Sequence, residues 1–131
     1  MANALDGTST VCIVWKVPTQ EGVQALRDFF EFHYTYMKEK SYQQGPLELI
    51  QYTISESPEY ANDASWHEGA FPPTTGRTIF TLFEIYRTPD GLHHHMIDSK
   101  DFAAELYEIA TTYGIEFHLM NQMKVIQSLW D

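Results

Sequence analysis

The chain has 131 residues and a formal charge of -10, with eighteen Asp and Glu against eight Lys and Arg. That length suits one domain with its own core and is too short for two of ordinary size; an apolar share of 44% with 15% aromatics is unlike a disordered acidic chain. The few cations are scattered rather than clustered, so nucleic acid is not an expected partner.

The N-terminus MANALDGTST carries neither a basic flank nor an apolar run, and residues 1–9 read as a flexible lead-in to a single domain over 10–131. No stretch of about eighteen consecutive apolar residues occurs, so no membrane contact is expected and the cytoplasm is the expected location. Cys12 stands alone, which excludes an intrachain disulfide and a cysteine-clustered metal site.

Residues 10–17, TVCIVWKV, are rich in β-branched types and end at Pro18, the pattern of a first strand. Thr19 precedes QEG as a helix entry, and Val23, Leu26, Phe30, Tyr34 and Met37 recur at helical spacing to about Lys40. Gly45 and Pro46 break that helix, and LELIQYTIS follows as a second strand. Residues 56–76 read as a long loop, with Ser57, Pro58 and Glu59 starting a short helix through YANDASW.

From Arg77 to Tyr86 the third strand places Ile79, Thr81, Phe83 and Ile85 on one face and Phe80, Leu82, Glu84 and Tyr86 on the other. Both faces are largely apolar, which fits helices on one side and another subunit on the other. Thr88, Pro89 and Asp90 form a second helix entry, and Ser99 is placed to cap a continuing helix that Gly114 stops. Residues 116–130 read as one unusually long last strand. The order strand, helix, strand, strand, helix, strand is the α+β, ferredoxin-like (βαββαβ) plan, an antiparallel sheet with its helices on one face.

The run Phe83-Glu84-Ile85-Tyr86, then Leu92, His95, Ser99 and Phe102, with Gly45-Pro46-Leu47 before the second strand, resembles the signature of the antibiotic-biosynthesis-monooxygenase group within the dimeric α+β barrel superfamily. The resemblance implies a homodimer whose two sheets meet face to face as a barrel, with ligands lying between each sheet and its own helices. Residues 56–76 are longer than the turn usual in that group. Haem-degrading members of the superfamily carry an iron-binding histidine four residues after the helix phenylalanine, where this chain has Leu106. Leucine cannot ligate iron, so that chemistry is not expected.

His93, His94 and His95 diverge by about 100° per residue on a helix and cannot converge on one ion. A metal site would have to recruit His33, His67 or His118 from elsewhere, and neither a metal nor a cofactor is expected. His95 is expected to face inward as a general base toward a small phenolic or polyketide-like aromatic, since an imidazole can take a phenolic proton near neutral pH. Glu84 and Tyr86 share one strand face: if it meets the helices they lie by His95 and His33 as the orienting groups that complete the catalytic set, and if it meets the partner sheet they are interface residues. His33, Tyr34, Trp66, His67 and Phe80 are the expected substrate contacts, with Trp66 and His67 forming a lid from the long loop. Cofactor-independent monooxygenation is the leading expectation. The alternatives are a non-catalytic dimeric binding or accessory protein, and an isomerase or cyclase using the same pocket.

Overall fold

The computed structural model describes residues 4–62 and 69–130. It is an α+β arrangement of one four-stranded sheet with helices, in the order β1 (Ser9–Val17), α1 (Gln20–Lys40), β2 (Leu49–Tyr60), β3 (Thr74–Tyr86), α2 (Pro89–Asp98), α3 (Lys100–Tyr113) and β4 (Glu116–Lys124). All strand pairings are antiparallel and the spatial order is β2-β3-β1-β4, compatible with a ferredoxin-like fold.

The helix starts follow from local chemistry. The Thr19 hydroxyl accepts from the Gly22 N–H at 3.1 Å, and the Thr88 hydroxyl accepts from the Gly91 N–H at 3.2 Å with Pro89 opening α2. A Cβ on Gly91 would lie 3.2 Å from the Leu47 backbone, and the Thr88 hydroxyl also donates to the Pro46 carbonyl at 2.6 Å. The start of α2 is thereby fixed against the turn before β2, which sets the height of His95 one turn later.

Register decides which side chains meet the helices. Val11, Ile13 and Trp15 of β1 lie opposite Glu84, Leu82 and Phe80 of β3, and Glu84 and Leu82 lie in turn opposite Tyr52 and Ile54 of β2. This face packs with Leu26, Phe29 and Phe30 of α1 and Leu92 of α2 into the core. Cys12, Val14, Ile79, Thr81 and Phe83 point to the opposite face, where each is half-buried.

Three sequence expectations are corrected. The loop over 56–76 is shorter than expected, because β2 runs to Tyr60 and β3 begins at Thr74; Ser57, Pro58 and Glu59 are strand residues, not a helix start. The cause is tertiary. β2 is an edge strand, where a proline's missing N–H costs no ladder bond. Glu59 is held there by a two-bond ion pair with Arg77 (2.7 and 2.9 Å), a hydrogen bond from Thr75 (2.6 Å) and Lys16 at 3.5 Å. The last strand stops at Lys124 instead of reaching residue 130, because β1 offers nothing further to pair once the chain turns before Thr8. The helix after β3 is two helices joined at Ser99, whose hydroxyl turns back to donate to the His95 carbonyl at 2.7 Å and does not cap α3.

Those partners hold the Glu59 carboxyl down to about 2, chiefly through the hydrogen bonds from Arg77 and Thr75. The stability it contributes is complete above the ordinary carboxylate value of 4.5 and disappears as pH falls from there toward 2. Glu59→Gln is expected to cost about 1–3 kcal/mol near neutral pH. Denaturant melts of the two proteins should converge as the pH is lowered through that window; a gap that persists below it would contradict the role of the ion pair.

Candidate functional site

The helical spacing of α1 turns His33 inward beside Phe29, whose ring stacks on it at a centroid distance of 5.7 Å. The alternation of β3 sends Glu84 and Tyr86 to the same side, where Glu84 is 1% and Tyr86 3% exposed. Nearly two turns into α2, His95 lies over Tyr86 in a stacked arrangement at 5.6 Å. His33, Glu84 and His95 thus come from three elements to one point, with a donor atom of each within 4.8 Å of the others.

Hydroxyl groups surround the cluster. Tyr86 donates to Glu84 Oε1 at 2.8 Å, and the Tyr52 hydroxyl lies 2.9 Å from His33 Nδ1. His95 Nε2 is 3.6 Å from Glu84 Oε1 and 3.5 Å from Ser99 Oγ. Tyr36 closes the outer side, its ring 6.4 Å from His95 and its hydroxyl donating to Asp98 at 2.6 Å. His93 and His94 are exposed, and His94 rests against Tyr42.

Burial sets the protonation states. Desolvation pushes Glu84 up to about 7, against the opposing hydrogen bond from Tyr86. It pulls His95 down to about 4, a shift that Asp98 opposes and His94 assists, and it pulls His33 down to about 4 with a further contribution from His95. Tyr52 and Tyr86 are raised by burial and by Glu84, so both keep their hydroxyl protons. Near neutral pH the cluster therefore holds two uncharged imidazoles beside a carboxyl group poised between its two forms.

A cavity of about 60 Å3 opens at the cluster, lined by His33, Glu84, His95, Ser99 and Phe102 among others. A second of about 190 Å3 adjoins it between α3 and strands β1 and β4, sharing Ile13, Trp15, Ala103 and Leu106 with the first and bounded outward by Phe117 and Leu119. Together they form an apolar cleft with its polar groups at the inner end, the usual character of a small-molecule site. Trp15 lines both cavities and is fully buried, yet its indole N–H has no protein acceptor among the described residues. A larger depression of about 750 Å3 lies between α1 and β2, but it is open to solvent and flanked by the Arg27–Glu56 ion pair, and His95 and Glu84 do not line it.

Of the expected site residues, His33, Glu84, Tyr86 and His95 are brought together. Tyr34 and Phe80 line the α1–β2 depression instead, Tyr34 largely exposed and Phe80 packed on Phe30. Trp66 and His67 lie outside the described residues. Trp15 and Tyr52 are additions that the sequence reading missed. Trp15 reads as an ordinary strand residue within VCIVW, and Tyr52 meets the cluster only through the β2–β3 register, in which a bulge falls between Leu49 and Gln51. Comparison of the chain with protein-family models, with curated proteins and with solved structures finds no match. Among the described residues no helix is long and apolar enough to cross a membrane.

Proposed function

We propose that this chain is a cytoplasmic, homodimeric, cofactor-independent monooxygenase of the antibiotic-biosynthesis-monooxygenase type, acting on a small phenolic or polyketide-like aromatic held in the cleft between α3 and the sheet. The observation that carries this reading is the apolar cleft ending at His95 and Glu84, with Trp15 in its wall, whose indole N–H has no acceptor among the described residues. A flat aromatic fits between Ile13, Leu106 and Phe117, and its oxygen can take the indole N–H as donor.

Glu84, pushed up to about 7, accepts the proton with His95 beside it; burial, which pulls His95 down to about 4, weakens the imidazole as the base the sequence suggests. Tyr86 positions Glu84, and Tyr52 positions His33. In an anthrone-like substrate the proton taken is one of the two on the methylene carbon, or equivalently the hydroxyl proton of its anthrol tautomer. The resulting anion passes one electron to dioxygen, the carbon radical and superoxide combine at that carbon, and the proton returns to the peroxide. Loss of water from the hydroperoxide leaves a carbonyl there: one oxygen atom enters the product and the other leaves in water with the two hydrogens. The dry surroundings limit side reactions of the radical pair.

Homodimer formation is supported by the half-buried Cys12, Val14, Ile79 and Phe83 on the sheet face away from the helices, and by the exposed Ile126, Leu129 and Trp130 beyond β4.

Ligand binding is read through tryptophan fluorescence. A phenolic anthrone is expected to quench Trp15 emission, and Trp15→Phe should remove most of that response and weaken binding about 10-fold, the worth of one hydrogen bond to an ionised oxygen. Quenching left intact by Trp15→Phe would place the ligand elsewhere. Conversion of a bound compound to an isomer without oxygen uptake would shift the reading to proton transfer, and binding without turnover would shift it to an accessory role.

A further inference from the structure

His93, His94 and His95 are adjacent in sequence, but the convergent set in space is His33, Glu84 and His95. We propose that these three side chains form a binding site for a divalent first-row transition metal ion, with a coordination position left open toward the apolar cleft. Two imidazoles and one carboxylate are an N/O ligand set of the kind that holds zinc, cobalt(II) or iron(II). Three protein ligands facing a cavity match catalytic sites with an exchangeable position better than closed structural ones.

The geometry is close to what an ion needs. Ligand atoms about 2.0–2.2 Å from a metal lie roughly 3.0–3.5 Å from one another. His95 Nε2 and Glu84 Oε1 are already 3.6 Å apart, and the widest separation within the set is at most 4.8 Å, so an ion would draw the ligands in by roughly 1–2 Å. The ligands come from α1, β3 and α2, which are packed into one core rather than carried on a mobile loop.

Two ligands also have outer partners. In the tautomer where His33 Nδ1–H donates to the Tyr52 hydroxyl, Nε2 of His33 carries a free lone pair for an ion, while Tyr86 fixes Oε1 of Glu84. Such partners orient the ligands. The cavity of about 60 Å3 touches all three ligands and has room for a water or a substrate oxygen at the open position. Uncharged imidazoles are the ligating form, and a buried carboxylate next to them gains the counter-charge that burial denies it.

The inference uses the residues of the proposed oxygenase site but not its reaction. The ion would occupy lone pairs that otherwise accept the proton, so the metal-loaded and proton-accepting forms are alternatives. Binding is read by stoichiometry and spectrum, independently of turnover.

The test is a titration of the chelator-treated full chain with Co2+ at neutral pH, followed by gel filtration and metal analysis. One retained ion per chain is expected, with the visible d–d absorption of a four- or five-coordinate site. Glu84→Gln should abolish it, Tyr52→Phe should weaken binding about 10-fold or more, and His93→Ala/His94→Ala should leave it unchanged. Failure of the unmodified protein to retain Co2+ would overturn the inference. So would loss of the ion in His93→Ala/His94→Ala, or undiminished binding by a folded Glu84→Gln.

Discussion

Glu84→Gln is expected to lower turnover of a phenolic substrate by about 10²–10⁴-fold, the usual contribution of a positioned proton acceptor, without loss of the fold. Glutamine has the shape of glutamate, and its amide oxygen can still accept the Tyr86 hydroxyl that now bonds Glu84 Oε1 at 2.8 Å. The change removes an ionisable group from a position 1% exposed, so the melting temperature should not fall. The apolar walls of the outer cleft, Ile13, Leu106 and Phe117, are not altered by the substitution. Turnover should therefore drop while quenching of Trp15 by the ligand is retained. Unchanged turnover in steady-state assays would remove Glu84 from the proton path and leave His95 to act without it.

Phe83→Glu is expected to convert a dimer of twice the 15.2 kDa chain mass into a monomer. Phe83 lies in β3 on the sheet face away from the helices, opposite Cys12 on one side and Thr53 on the other. A glutamate there meets water in the isolated chain but would be buried unpaired in a face-to-face dimer, which costs several kcal/mol. The helix-side core, including Trp15 and Leu92, is on the other side of the sheet, so circular dichroism should be retained. Light scattering checks both proteins. A wild-type chain that already runs at the mass of a single copy would contradict the barrel.

The parts of the fold that local chemistry dictates are readable from the chain. Thr19, Thr88 with Pro89, and Gly114 at φ 64 mark helix ends because capping and left-handed backbone depend on neighbours in sequence. Pro58 misleads for a physical reason: a proline after serine suits a helix start, and only a place at the sheet edge makes it acceptable in a strand. The end of β4 is equally invisible, since it is set by where β1 stops offering partners. Within the site, helical and strand periodicity turn His33 and His95 inward and put Glu84 and Tyr86 on one face. That this face meets the helices, and that Glu84 comes within reach of both imidazoles, follows from docking α1 and α2 on the sheet and not from any spacing along the chain.

Dissolved oxygen, followed with the metal-chelated protein and a small panel of quinols and anthrones, tests the oxygenase reading most directly. The expected result is consumption above the uncatalysed rate, with one O2 taken up for each methylene converted to a carbonyl. No uptake, in a protein whose tryptophan fluorescence the same compounds still quench, would contradict oxygenation and leave a cleft that binds or shuttles protons.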